Sequence, residues 1–328
     1  MLAASAATFH PASAEAQARS LPIVGFLHTG SSSASAFLYA SFRGGLAGAG
    51  FVEGRNVVIE QRWANGDYTK LPALAGGLVR RQVAVIAAGG PPAARAAKAA
   101  TSNIPIVFSS GEDPVKAGFV ASLARPGGNM TGISFLVDDL AAKRLDLARE
   151  LVPSVDLFAL LINRTTVGVT QSQQTQDAAR LMSKRLLVLE AGTPAEIEAA
   201  YESAARQKAG ALLIGGDPFL FIQRAQIIAL AAKFAMPTIA AAREFPDAGG
   251  LMSYGANIAD VYRQVGVYAA RILKGEKPAD LPVQQPIKFE LVINAKTAKA
   301  LGLAIPPTIL IRGDEVIESI GGTKVLRP

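Results

Sequence analysis

Two stretches of the chain end an apolar run in glycine, a carboxylate and proline: IVFSSGEDPV at 106–115 and LLIGGDPF at 212–219. Asp113 and Asp217 stand immediately before Pro114 and Pro218, the arrangement in which aspartate caps a helix that begins with proline. Glu112, and Glu244 ahead of Pro246, are poor caps. These two glutamates are therefore the expected ligand contacts, while Asp113 and Asp217 can be caps, contacts or both. A ligand ammonium group is the natural partner of such carboxylates. Two other tips offer donors. Gly89, Gly90 and Pro91 follow an apolar run and lead into an alanine-rich segment, and Thr29, Ser31, Ser32 and Ser33 bring hydroxyls after the first run. Backbone N–H groups at a helix start together with hydroxyls suit a ligand carboxylate. Asn163 ends a further apolar run, and Phe219 and Tyr254 could supply flat apolar walls.

No catalytic pattern competes with this reading. The chain has no G-x-G-x-x-G opening a helix after a strand, no phosphate-binding G-x-x-x-x-G-K-[ST] and no G-x-S-x-G. His28 follows the first apolar run without a positioned partner and reads as a hydrogen-bonded loop residue rather than a base. Asp138 and Asp139 read as caps. With no cysteine and two histidines, thiolate chemistry, disulfides and histidine metal clusters are out of reach. No cofactor is expected.

The elements that must position these tips are short β-branched runs alternating with segments whose apolar residues recur at three and four. Strands are expected at 22–28, 57–63, 83–89, 104–110, 130–135, 157–163, 186–192, 210–216, 236–242 and 250–255. Continuous apolar strands separated by helices mean parallel sheets covered on both faces, and ten of them divide into two doubly wound α/β lobes. Internal matches point the same way: 83–90 pairs with 210–217, Ile104–Pro114 with Met236–Pro246, and Ser134–Phe135 with Ser253–Tyr254. Trp63, at the end of the second strand, reads as structural. In such sheets ligands bind beyond the carboxyl ends of the strands, where the candidate residues lie.

Composition agrees. Of 328 residues 50% are hydrophobic and 18% charged, which excludes a disordered chain. The formal charge of +7 invites a nucleic-acid partner, but the 33 basic residues are scattered and not interleaved with aromatics, so none is expected. No stretch of about 18 apolar residues could span a bilayer. Residues 1–20 are small, apolar and poor in charge, and Ala16-Gln17-Ala18 fits the small-x-small rule of an export signal, so a periplasmic location is expected.

The strings GFVEGRNVVIEQRWANGDYTKLPALAGGLVRRQVAVIAAGG, IPIVFSSGEDPVKAGFVASLARPGGNMTGIS, GGLMSYG and RILKGEKPADLPVQQPIKFELVINAKTAKALGL resemble ABC transporter substrate-binding proteins of the tryptophan or aromatic-amino-acid-binding type. The resemblance runs from Pro22 to Glu318. It implies a type I periplasmic-binding fold, two lobes joined by three crossovers and closing on a ligand. The crossovers are expected near Ser134–Phe135, Ser253–Tyr254 and Phe289–Val292. Lobe one is then 21–134 with 254–288, and lobe two 135–253 with 289–328. The implied partners are a small amino-acid-like or aromatic ligand and a membrane permease with its ATPase, the binding protein itself acting as a monomer. Rival readings are an enzyme using the interlobe cleft and an effector-sensing regulatory domain.

Overall fold

The computed structural model describes residues 21–135, 140–164, 166–285, 289–318 and 325–326, so Asp138 and Asp139 lie outside the described residues. The ten expected strands all form: β1 (Ile23–His28), β2 (Val58–Trp63), β3 (Val85–Gly89), β4 (Ile106–Ser110), β5 (Met130–Ser134), β6 (Leu157–Ile162), β7 (Arg185–Glu190), β8 (Leu212–Ile214), β9 (Thr238–Ala240) and β10 (Met252–Ala256). The central strands β3, β4, β6, β8 and β9 are buried along their whole length. That is why they read as unbroken apolar runs, without the alternation of a half-exposed sheet.

One sheet has the order β2-β1-β3-β4-β5, all parallel. The other contains β7-β6-β8-β9-β10, also parallel and in the equivalent order. The three internal sequence matches thus pair β3 with β8, β4 with β9 and β5 with β10, strands at equivalent positions. The second sheet is extended by β11 (Phe289–Asn294), antiparallel to β10, then β12 (Glu315–Ile317) and β13 (Val325–Leu326). It is therefore mixed, not parallel throughout.

Helices α1 (Ala36–Gly48), α2 (Leu71–Arg80) and α3 (Pro91–Ala100) cover the first sheet. Helices α4 (Ala141–Leu151), α5 (Thr166–Leu181), α6 (Pro194–Arg206), α7 (Pro218–Ile222), α8 (Arg224–Lys233) and α9 (Glu244–Asp247) belong with the second. Helix α10 (Ile258–Leu273) returns to the first sheet, whereas α11 (Ala295–Ala300) and α12 (Pro307–Arg312) rejoin the second. Each sheet has a buried apolar cluster on both faces, which defines two α/β lobes.

The chain passes between lobes three times. The first passage follows β5. The second does not fall at Ser253–Tyr254: both residues are hydrogen-bonded into β10, and the chain leaves the second sheet only after Ala256. For the third, Gln284 still bridges Ile133 in lobe one, and Phe289 already belongs to β11 in lobe two. Phe289–Val292, expected as a crossover, is itself part of β11, because pairing with β10 satisfies its backbone.

The docking of α10 on α1 fixes the floor of the space between the lobes. Asn257 caps α10 by accepting from the Asp260 amide at 3.0 Å, and its apolar face carries Val261, Tyr262, Val265 and Tyr268 inward. The two helices touch backbone to backbone at reciprocal glycines. A Cβ on Gly266 would sit 2.1 Å from the Phe42 carbonyl oxygen, and one on Gly45 would sit 1.9 Å from that of Arg263. Neither backbone atom can yield without separating the helices. Gly266→Ala is therefore expected to destabilise the protein by about 3 kcal/mol. Urea unfolding followed by circular dichroism measures this, and an unchanged midpoint would show that the helices can move apart freely.

Candidate ligand-binding site

Parallel strands bring the tips of both sheets to face one another, and a cavity of about 360 Å³ lies between them. Lobe one lines it with His28, Thr29, Ser35, Gly90, Pro91 and Arg95; lobe two contributes Arg144, Asp217, Phe221 and Phe245; Phe135, Ile258 and Tyr262 come from the connecting side. Carbon dominates the walls. Asp217 is the acidic residue among those described as lining it.

The hydroxyl-bearing turn after β1 divides. Thr29 and Ser35 are buried at the cavity, and neither hydroxyl has a hydrogen-bond partner among the described residues. Ser31 and Ser32 face away. The Ser31 hydroxyl contacts that of Ser33 and accepts from the Ala34 amide, and Ser32 is exposed to solvent. An unpaired buried hydroxyl costs about 1–3 kcal/mol, so Thr29 and Ser35 mark where a polar ligand atom would be stabilised.

His28 is the last residue of β1. Its Nδ1 accepts from the Gly30 amide at 2.8 Å, which places the proton on Nε2, 2.8 Å from the Tyr262 hydroxyl. Burial drives its pKa down to about 3, so the ring is neutral near pH 7. Gly89 lies under this pair and outside the lining. A Cβ there would come within 2.4 Å of the imidazole and 2.6 Å of the Tyr262 hydroxyl.

The tip after β3 is not the donor cradle expected from its sequence. The Gly90 amide already donates to the Ser109 carbonyl at 3.1 Å and faces the Ser109 hydroxyl at 3.2 Å. Pro91 and Pro92 have no N–H to offer. Gly90 and Pro91 line the cavity, but as apolar surface. Gly90, at φ 91°, holds a backbone conformation that side-chain-bearing residues avoid. The basic group at this tip is Arg95, one turn into α3.

Glu112 is committed elsewhere. Its carboxylate takes both Nη groups of Arg95, the Nη2–Oε2 distance being 2.7 Å, so it orients the arginine at the cavity wall and does not face the cavity itself. Asp113 holds the turn at 114–118, where a helix start was expected, accepting from the amides of Val115 at 2.8 Å and Lys116 at 3.1 Å. Glu244 opens α9, is partly buried and does not line the cavity, although its neighbour Phe245 does. Burial raises its pKa, and one of its oxygens has no partner. The expected symmetric pair of glutamates at the cleft is thus replaced by an arginine held by a glutamate in lobe one and Asp217 in lobe two.

Asp217 combines a cap with a place at the cavity. It caps α7 by accepting from the Phe219 amide at 2.8 Å, and it lines the cavity. The same Oδ1 accepts from Asn163 Nδ2 at 3.0 Å and from the Tyr68 hydroxyl at 3.3 Å. Asn163 therefore holds the carboxylate instead of lining the cavity. Phe219 points into the core of lobe two, and the wall is made by Phe221, two residues on, where the short helix turns its other face outward. Tyr254 packs on Phe289 at 6.4 Å between ring centres, and its carbonyl accepts from Arg144 at 3.4 Å. Its neighbours Gly255 and Ala256 line the cavity. Trp63 packs on Phe26 and His28, in keeping with a structural role. Sequence reasoning missed Ser35, Arg95, Arg144, Phe221, Phe245 and Tyr262. Of these, Arg95 had a visible signal, standing four residues after Pro91 on the same helix face.

A model of the family described as ABC transporter substrate binding protein matches residues 30–317. The chain belongs to that family. Among relatives, the binding protein is 28% identical over 256 residues to a tyrosine-binding protein of Clostridioides difficile, covering 77% of this chain and 73% of that one. Among solved structures, a Streptococcus pneumoniae ABC domain in complex with L-Trp is 26% identical, with a TM-score of 0.83 over 91% of this chain and all of that one. The ligand-free, open structure of a Clostridium difficile substrate binding protein with adhesive properties is also 26% identical. Its TM-score is 0.64, over 88% of this chain and 97% of that one. The type I architecture and membership of a substrate-binding family agree with the sequence resemblance. No described helix is long and apolar enough to cross a membrane.

The neutral His28 makes stability pH-dependent. Its folded pKa of about 3 lies below the ordinary 6.5, so the unfolded chain binds the extra proton. Its contribution is complete above pH 6.5 and shrinks as pH falls toward 3. His28→Gln is expected to flatten the fall in stability between pH 6.5 and 4, measured by urea unfolding at several pH values. A slope as steep as in the parent protein would mean that His28 is not the group responsible.

Proposed function

We propose that this protein is the solute-binding component of an ABC importer and captures an amino acid with an aromatic side chain between its lobes. The observation that carries the reading is the pairing of opposite chemistries across an apolar cavity. Asp217 on lobe two suits an ammonium group; Arg95 and the unpartnered Thr29 and Ser35 hydroxyls on lobe one suit a carboxylate. Phe221, Phe245 and Phe135, with the ring of Pro91, form walls for a flat side chain. A volume of about 360 Å³ lies at the small end of the roughly 300–1,000 Å³ usual for ligand sites, which suits a single amino acid. The names of the tyrosine-binding relative and of the tryptophan complex support this ligand class.

Binding then works by closure. A zwitterion touching one lobe through its carboxylate and the other through its ammonium stabilises the closed arrangement over the open one. At equal identity, the higher likeness to the tryptophan complex than to the open ligand-free structure supports reading this arrangement as the closed one. The closed form is what a permease and its ATPase would recognise. Residues 1–20 fit export to the periplasm, and a mature chain beginning at Arg19, found by N-terminal sequencing of exported protein, is the expected product.

Calorimetry with L-tryptophan and L-tyrosine tests the ligand assignment. Asp217→Asn keeps the cap and the shape but removes the charge, and is expected to weaken binding by about 1.5–3 kcal/mol, roughly tenfold or more. Thr29→Val should cost about 1 kcal/mol of binding, roughly fivefold, with no loss of thermal stability, since it deletes an unpaired hydroxyl. Full affinity in both variants, or no binding of either amino acid by the parent protein, would overturn the assignment.

A further inference from the structure

Lobe one reaches across to lobe two at one place remote from the crossovers. The loop after β2 holds Asn65 and Gly66 in left-handed conformations, φ 55° and 81°, and is pinned to the end of β1. The Asn65 amide donates to the Gly30 carbonyl at 3.0 Å and the Gly66 amide to the Thr29 carbonyl at 2.8 Å. This geometry presents Tyr68, whose ring packs against the apolar clusters of both lobes at once. Its hydroxyl donates to Asp217 on lobe two at 3.3 Å. Burial and the Asp217 charge both raise the Tyr68 pKa, which keeps the phenol a donor. Around it the short helix α7 is gripped by lobe one. Phe221 meets Phe37 at 6.1 Å between ring centres, and the Pro218 ring lies where a Cβ on Gly90 would come within 3.3 Å. Arg224, just beyond α7, donates to the Ala34 carbonyl at 3.4 Å.

Tyr68 does not line the cavity. Nor is it near the hinge: β2, which it follows, is the edge of the first sheet opposite β5, where the first crossover leaves. Four strand spacings of about 4.8 Å separate these edges, so a small opening rotation at the crossovers becomes a large separation at Tyr68. A contact at the end of such a lever is broken early in opening. Because its acceptor is Asp217, it also couples the lobes' separation to the position of the carboxylate proposed to hold the ligand.

We propose that Tyr68 is the tip of a clasp, closed on α7 and Asp217, that holds the two lobes together and sets how fast ligand escapes without touching the ligand. The clasp rests on the closure reading above, and its consequences are separable from it. In the open form Tyr68 and Asp217 are apart, so the rate of ligand entry depends little on their bond. Escape from the closed form requires breaking it. Tyr68 is a positioning residue whose loss appears in the release rate.

The chain has no native cysteine, so Lys98→Cys on lobe one and Lys233→Cys on lobe two, both exposed, can carry spin labels without competition. Pulsed electron resonance then gives the distance between lobes, and stopped-flow fluorescence gives the rates, with L-tryptophan as the probe. Tyr68→Phe, which keeps the ring, is expected to raise the release rate about fivefold to tenfold at nearly constant association rate, the loss of one hydrogen bond to a charged group. It should also shift the ligand-free population toward longer distances. Phe37→Ala, which loosens the other side of the clasp, should shift both in the same direction. Unchanged distances and release rates in both variants would overturn the clasp, provided the parent protein closes. A parent protein whose distances do not respond to bound L-tryptophan would overturn closure and the clasp together. If L-tryptophan does not bind but Tyr68→Phe still opens the ligand-free protein, the clasp stands and the ligand assignment falls.

Discussion

A carboxylate at the edge of an apolar cavity must be held, and the arrangement around Asp217 follows from that requirement. Oxygen Oδ1 collects the Phe219 amide, the Asn163 amide group and the Tyr68 hydroxyl. Each donor comes from a different piece of the fold: the first turn of α7, the tip of β6, and the loop after β2 in the opposite lobe. The capping bond fixes where α7 starts, and α7 in turn sets Phe221 toward the cavity and Phe219 toward the core. Local helix-start chemistry thus decides which aromatic becomes a wall. Removing the carboxylate's charge changes the ligand chemistry; removing its cap would misplace the wall as well.

Lobe one answers with the opposite logic. Arg95 is a long, flexible cation, and a flexible cation at a binding surface loses entropy when it orders. Glu112 bears that loss before a ligand arrives, clamping the guanidinium fork to fork while Phe119 lies 5.5 Å beneath it. Glu112 offsets the charge of Arg95, and the Thr29 and Ser35 hydroxyls supply short-range polarity at the same wall. A cavity of this design suits a zwitterion, whose two charges cancel at a distance but need separate partners close by.

Much of this architecture was legible in the chain. The ten strands appeared where short apolar or β-branched runs stood, and the signal was most continuous for the central strands because both their faces are buried. The internal repeat was legible for the same reason, and it pairs strands that occupy equivalent places in the two sheets. Of the candidate residues, Thr29, Gly90, Pro91 and Asp217 line the cavity. Other expectations failed for identifiable reasons. Glu112 looked free because its partner Arg95 is 17 residues away on another element, and no local pattern announces such a pairing. The 89–92 turn looked rich in donors, although two of its residues are prolines. The family resemblance implied a connection at Phe289–Val292, and the antiparallel strand found there has no counterpart in the repeat. Tyr68 gave no signal, since its significance lies in touching two cores that only the tertiary fold brings together.

The central claim is that opposite walls of one cleft read the two charges of an amino acid while aromatic rings read its side chain. Competition calorimetry of the full chain with L-tryptophan, tryptamine and indole-3-propionate tests it most directly, because the two analogues delete the carboxylate and the ammonium in turn. Each analogue is expected to bind at least about tenfold more weakly than L-tryptophan, with Asp217→Asn indifferent to whether the ammonium is present. Indole-3-propionate binding as tightly as L-tryptophan would contradict it, since Asp217 would then have no part in holding the ligand.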